Sequence, residues 1–402
     1  MRPELFEHVI SFDEALRRIM AAAAPIERVE RVSLADSCGR VAAERVVAAF
    51  DVPPFDRAAM DGYAVRAIDV EGASTTSPVP LALLTRTFAG ESPAAPLVPG
   101  TAVEVATGAP LPPGADAVVM VERTRRDADR VLVEEAVRPG QSVGRRAADI
   151  PAGFGVVSPG DYITPARAGA LAAIGCTDLA VYAKPDVVVF ATGNEVVSVG
   201  RPLGQDQIYD VNSTTIAAVV RAHGGRDILR EPVGDSAAAL AAALRTGGGD
   251  VIVCSGGSSV GSRDLVTDAV SACGDILLHG IAIKPGKPTL VGRVGTAVLF
   301  GMPGNPTSCL SNSYLLLAPF LRAVARLPPW RPSRVVAPLA RTVRSTPGRH
   351  HFFSVRLEEG RVVPAFKSSG DITSLAQADG YIEIPPGVPA LEAGESVTVT
   401  LF

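Results

Sequence analysis

The chain has 402 residues, 47% of them hydrophobic and 20% charged, and a formal net charge of −4, the composition of a folded protein of roughly two to four domains. So small a charge gives no global field for nucleic acid or a membrane surface, and an anionic ligand must be held by a local cluster. The five cysteines (Cys38, Cys176, Cys254, Cys273, Cys309) are odd in number and form no CxxC, which argues against disulfide scaffolding or a zinc site and makes reduced cytoplasm the expected compartment.

Ser11-Phe12-Asp13-Glu14 reads as a capping box opening a helix that runs to about Ala24, before Pro25. The start of the chain, with Glu4, Glu7, Asp13 and Glu14, lacks the apolar core of a signal peptide, and no apolar run approaches the roughly 18 residues of a spanning helix. Short β-branched runs suggest strands between Val29 and Val47. Asp51 to Tyr63 reads as an ordered loop: its prolines bar regular structure, yet Phe55, Met60 and Tyr63 give it anchorage. From about 65 to 140, short strands punctuated by Pro-Gly pairs predict a β-rich unit, and a short helix is expected from about Pro165 to Ile174.

From Lys184 strands alternate with helices. Asp186–Phe190, Arg226–Glu231, Asp250–Cys254 and Ala297–Phe300 read as strands; Ser213–His223, a segment capped by Asp235 up to Arg245, Asp264–Ala272 and a long run from Pro306 to Ala325 read as helices. This is the pattern of a doubly wound, mostly parallel sheet, whose ligands collect at the carboxyl edge of the strands. Leu327-Pro328-Pro329-Trp330-Arg331-Pro332 breaks the last helix, and the alternating segments beyond it indicate a small C-terminal β-barrel or sandwich.

Two stiff loops stand out in the α/β region, Lys284-Pro285-Gly286-Lys287-Pro288 and Gly301-Met302-Pro303-Gly304-Asn305-Pro306. Proline fixes φ and glycine admits close approach, so each loop can hold its amides, and the first its two ammonium groups, in a preset arrangement for an oxyanion. Thr192-Gly193-Asn194-Glu195 and Ser255-Gly256-Gly257-Ser258 are further polar loops after strands. With neither a Walker A sequence nor GxGxxG, a P-loop NTPase and a dinucleotide dehydrogenase are disfavoured. Cys254 and Cys309 have no suggested histidine partner and read as core, and of the adjacent His350 and His351 at most one can face a ligand.

The segments MDGYA (60–64), TGAPLP (107–112), ADI (148–150), TGNE (192–195), IYDVN (208–212), SGGSSVG (255–261), AIKPGKP (282–288) and GMPGNP (301–306) resemble, in that order, those of the MoeA and gephyrin E-domain family of molybdopterin molybdenumtransferases. The resemblance implies an α/β multidomain chain: 1–50 with 140–180 an extended linker and dimerisation domain, 51–139 a β-rich inserted domain, 181–328 an α/β molybdopterin-binding domain and 329–402 a C-terminal β-barrel. It implies a cytoplasmic homodimer that inserts molybdate, its substrate, into adenylylated molybdopterin and releases AMP with Mg²⁺, in transient contact with the adenylylating enzyme. By position it assigns Asp61, Thr107, Asp149, Glu195, Asp250 and Asp264 to catalysis, with Asp61, Glu195 and Asp264 as metal ligands and Asp61 and Asp149 completing the site across the dimer. Lys284, Lys287, Pro288, Arg349, Ser369, Gly256, Gly257, Pro303, Gly304, Asn305 and Pro306 are assigned to substrate and molybdate. Four positions depart from the family pattern: Asn194 stands where an aspartate is usual, Ala147-Ala148 where glycine-glutamate is common, Ser258 for a valine, and Ser262 for an acid. The departures at Asn194 and Ala148 keep open a catalytically weakened paralogue acting as a pterin-binding scaffold, and a tungstate-handling or adenylylating relative is a further alternative.

Overall fold

A computed structural model describes residues 9–257 and 265–402, which fall into two compact units: Arg31–Cys38 with Ala42–Ala180, and the remainder. Glu4, Glu7, Ser258, Ser262 and Asp264 lie outside the described residues.

The first unit is built on a six-stranded sheet in the order Ala117–Met120, Gly62–Val65, Thr101–Val105, Val79–Thr87, Arg130–Val133, Thr124–Asp127. Its pairings are antiparallel except that of Val79–Thr87 with Thr101–Val105. Alternation along the strands sends Tyr63, Val65 and Val119 into one core and Ala64, Val103 and Val118 into another on the opposite face. The ordered loop after Asp51 is anchored by charge as well as by apolar groups: Arg146 pairs with Asp51 at 2.5 Å and Arg145 with Asp56 at 2.8 Å. The same two carboxylates accept from the backbone N–H groups of Ala152 and Arg146, both at 2.8 Å, so the segments 51–56 and 145–152 are one clasp.

In the second unit a six-stranded sheet runs Arg226–Leu229, Asp186–Ala191, Val251–Ser255, Ala297–Met302, Leu290–Val294, Asp275–His279. The first four strands are parallel and the last two antiparallel. Val187 and Val189 pack on one face beneath helix Val211–Ala222 and the long helix that runs from Pro306 to Val324, while Val188 and Phe190 pack on the other beneath Ala237–Thr246 and Leu265–Ser271. Each such buried aliphatic side chain contributes about 1.5–3 kcal/mol by leaving water, which is why these strands read as unbroken apolar runs. The antiparallel pair at the sheet edge is an addition to the expected strands.

Several local expectations shift. Ser11 caps Phe12–Ala21 by accepting from Glu14 N, but the Glu14 carboxylate turns to Arg17 and Arg18 instead of completing the box. Ser236, not Asp235, caps Ala237–Thr246. The long helix holds a π-turn at Ser313–Leu317, just before Pro319; proline has no N–H for the preceding turn, and the wider turn absorbs the loss.

The C-terminal strands form a sheet in the order Ile283–Lys284, His350–Glu358, Gly380–Ile384, Ser396–Leu401, Arg334–Pro338, with Arg361–Pro364 on His350–Glu358. A bridge from Leu339 to Val362 brings the two ends together, closing a small barrel around Val355, Val362, Ile382 and Val399. The architecture is thus α/β and multidomain, with a doubly wound, mostly parallel sheet, a β-rich N-terminal region and a small C-terminal barrel.

Candidate active site

A cavity of about 1280 Å³ opens at the carboxyl ends of the parallel strands. Thr192, Gly193 and Glu195 enter it after Asp186–Ala191, Gly256 and Gly257 after Val251–Ser255, and Pro303, Gly304, Asn305 and Pro306 after Ala297–Met302. Gly256 has φ +95°, and a Cβ there would stand 2.5 Å from the Thr192 carbonyl oxygen, so only glycine lets the two loops meet.

Lys284, Lys287 and Pro288 line the same cavity, but their loop does not follow a parallel strand: it joins the antiparallel pair Asp275–His279 and Leu290–Val294. Ile283–Lys284 instead pairs with His350–His351 at the barrel edge, which sets Arg349, at the head of that strand, beside the lysine loop in the cavity wall. Lys284 Nζ donates to Thr346 Oγ1 at 2.9 Å, leaving two of its N–H groups for a ligand. Gly286 has φ +100°, and a Cβ there would meet Asn312 Nδ2 at 2.3 Å. Asn312, wholly buried, donates to Gly286 O at 3.0 Å and to Thr289 Oγ1 at 2.6 Å. The helix therefore clamps the loop that carries both lysines.

Ser369 reaches the site from the barrel and accepts from Asn305 Nδ2 at 3.0 Å; its carbonyl accepts from Thr307 N at 3.1 Å. Asn212, on the IYDVN segment, donates to Gly304 O at 2.8 Å. Sequence reasoning missed Thr346, Asn312 and the latch made by Asn212; for Asn312 the signal was a polar residue set among the apolar positions of a helix.

Three carboxylates line the cavity with the cations: Glu195, Asp235 and Asp210, the last of which caps Val211–Ala222. Glu195 was expected; Asp235, read as a helix cap, also lines the cavity because Ser236 takes the capping role. Asn194 holds Asp235 through two bonds, its backbone N donating to Oδ2 at 3.2 Å and its Oδ1 accepting from Asp235 N at 3.1 Å. The departure to asparagine thus serves the loop without setting a second negative charge against Asp235.

Asp250, assigned to catalysis by its motif, stands away from the other described residues assigned in this unit. It precedes Val251–Ser255 at the amino end of the strand, so the strand's full length separates it from the cavity loops, and it does not line the cavity. Arg28 grips it with two bonds of 2.7 Å and Asp186 N donates to it at 2.7 Å. Burial pushes its pKa up, and these donors more than offset this and hold it below the usual carboxylate range. These bonds tie the start of its strand to Arg28 and to the start of Asp186–Ala191.

Asp61 and Thr107 meet in the N-terminal unit. Asp61 Oδ1 accepts from Thr107 N at 2.7 Å and from Thr107 Oγ1 at 2.9 Å, and these bonds hold its pKa below the ordinary value. Asp149 is exposed in the same unit, on the segment that the Asp51 and Asp56 clasp restrains, and its N donates to Val52 O at 3.1 Å. Ala147, where the family commonly has glycine, has φ +61°, the conformation glycine takes without strain.

Neither histidine of the 350–351 pair lines the cavity. His350 stacks on Phe352 at 4.6 Å; His351 is buried, and burial together with the Lys284 charge pushes its pKa down to about 4. Cys254 and Cys309 are fully buried, and burial pushes the Cys309 thiol up, away from nucleophilic use. Among the described residues no group of three or more His, Cys, Asp or Glu gathers as a metal cluster, and no helix is long and apolar enough to cross a membrane.

Comparison with known proteins agrees along the whole chain. Residues 10–175 match the MoeA N-terminal region (domain I and II), 188–323 a probable molybdopterin binding domain, and 336–402 the MoeA C-terminal region (domain IV). Molybdopterin molybdenumtransferase 2 of Mycobacterium tuberculosis is 37% identical over 396 residues, covering 95% of this chain and 96% of its own. The molybdopterin molybdenumtransferase of Nostoc sp. is 33% identical, covering 92% and 88%. Two solved molybdopterin biosynthesis MoeA proteins of Pyrococcus horikoshii superpose with a TM-score of 0.83, at 39% and 30% identity, and cover 98% of this chain and 99% and 100% of theirs.

Proposed function

This chain belongs to the MoeA family, and we propose that it is a molybdopterin molybdenumtransferase, inserting molybdate into adenylylated molybdopterin with release of AMP to give molybdenum cofactor. The observation that carries this reading is the convergence of Lys284, Lys287, Arg349 and Ser369 with Glu195 and Asp235 on one cavity. Molybdate is a tetrahedral dianion; three cations and a hydroxyl can replace its water shell, the guanidinium by paired N–H groups and the lysines as point charges. Holding the anion there turns its encounter with the pterin sulfurs into a step between neighbours.

Glu195 and Asp235 fit Mg²⁺, which keeps several waters and takes one or two carboxylates together with substrate phosphates; bound there it would neutralise phosphate charge as AMP leaves. Asp61, Thr107 and Asp149 are assigned to the same reaction on the strength of their motifs, Asp61 together with Glu195 and the Asp264 position as metal ligands. We assign the working form as a cytoplasmic homodimer that receives its substrate in transient contact with the adenylylating enzyme, and divide the chain into 1–50 with 140–180, 51–139, 181–328 and 329–402.

AMP release from adenylylated molybdopterin, followed with and without molybdate and Mg²⁺, tests the reading. Turnover that needs both ions is expected. Binding of the pterin nucleotide with no release above blank would favour the scaffold alternative, and sedimentation velocity checks the dimer.

A further inference from the structure

The cavity is far larger than a tetrahedral oxyanion needs, and its walls are of two kinds. Lys284, Lys287 and Arg349 occupy one stretch; elsewhere it is lined by Leu203, Ile208 and Tyr209, which are 44%, 57% and 41% exposed. Large apolar side chains left open to water inside a ligand-sized cavity mark a surface that something flat or apolar covers.

These residues sit on a built flap. Val196–Val197 pairs with Ile208–Tyr209, Ile208 N donates to Glu195 O at 2.8 Å, and Asp210 N donates to Val197 O at 2.9 Å. The Tyr209 hydroxyl donates to Arg201 O at 3.0 Å, which fixes the ring while leaving it exposed. Arg201 pairs with Glu231 at 2.8 Å, and Gly204 N donates to Gln207 Oε1 at 2.9 Å. A shelf so restrained is arranged before its ligand arrives.

We propose that Leu203, Ile208 and Tyr209 form a stacking shelf for a flat, fused nitrogen heteroaromatic ring of the substrate, while the cations hold its anionic part. The inference rests on the reading of the substrate as a pterin nucleotide, which carries two such rings, the pterin and the adenine. A planar ring laid on a tyrosine face and aliphatic side chains gains dispersion and apolar burial without a hydrogen-bond partner.

Titration of the full-length protein with AMP and, separately, with 6-hydroxymethylpterin, read by calorimetry and by pterin fluorescence, tests it. Tyr209→Ala and Ile208→Ser should each weaken one of the two ligands by about tenfold, and the ligand affected names the ring. Tyr209→Phe, which keeps the ring, should bind within about twofold of the wild type, and molybdate affinity should not change in any variant. Wild-type affinity for both probes in Tyr209→Ala and Ile208→Ser would overturn the shelf. So would loss of the dimer with ring affinity intact, which would make this wall a contact between copies. AMP release from the complete substrate by the wild type separates the two readings: its absence would sink the proposed reaction whatever the shelf binds.

Discussion

Single side chains decide how the oxyanion would be held. Lys284→Ala removes one of the four cations that line the cavity, Lys284, Lys287, Arg349 and Lys367, and should raise the molybdate concentration for half-maximal rate by at least about tenfold with the far-UV circular dichroism unchanged; an unaltered molybdate dependence would take Lys284 out of the site. Thr346→Val, which frees the ammonium from its 2.9 Å acceptor, should raise the same requirement by about threefold to tenfold, with Thr346→Ser close to wild type. For Asp61 the sign follows from its donors: both Thr107 bonds stabilise the charged form, so the carboxylate stays ionised as pH falls below the ordinary carboxylate range. Thr107→Val withdraws the hydroxyl, and the acid limb of the pH–rate profile should then move to higher pH. An acid limb that does not move would remove Asp61 as the group that titrates.

Elements set where those side chains stand. The lysine loop takes its shape from Asn312, the residue immediately before the π-turn of the long helix, and Gly286 is where the two touch. Gly286→Ala combines a positive φ with a Cβ inside the Asn312 amide and should cost at least about 2 kcal/mol in denaturant unfolding; a smaller loss would mean the loop is not clamped. The opposite change is available in the other unit. Ala147 already stands in the left-handed region, so Ala147→Gly should stabilise the protein by up to about 1 kcal/mol, read as a higher melting temperature.

At the scale of the whole molecule, two buried histidines couple the fold to acid. His351 is pushed down to about 4 by burial and by the Lys284 charge, and His223 likewise by burial and by Arg322. Both are held neutral in the fold, whereas in the unfolded chain they titrate near 6.5, so the unfolded state takes up more protons between these values. Stability is therefore fully present above about pH 6.5 and falls as pH drops towards about 4. Melting temperatures recorded across that window should decline in the wild type and decline less in His351→Phe. Equal slopes would mean His351 is protonated at little cost.

Much of this was legible in the chain itself. The unbroken apolar runs at 187–190, 251–254 and 297–300, the glycine-bearing segments after them and the alternating segments beyond Leu327–Pro332 specify a parallel sheet with ligand loops and C-terminal β-strands, because side-chain period and backbone freedom are local properties. The cationic loop and Glu195 were readable for the same reason. The tertiary structure alone decided the rest. It turned Asp235 into the cavity because its neighbour Ser236 satisfies the helix end, and it set Asp250 at the far end of its strand in the grip of Arg28. It also set Thr346 against Lys284, and through the pairing of 283–284 with 350–351 it supplied the means by which Arg349, already assigned by its motif, reaches the lysine loop. Such choices depend on which of several competent partners is nearest in space, and spacing along the chain does not record that distance.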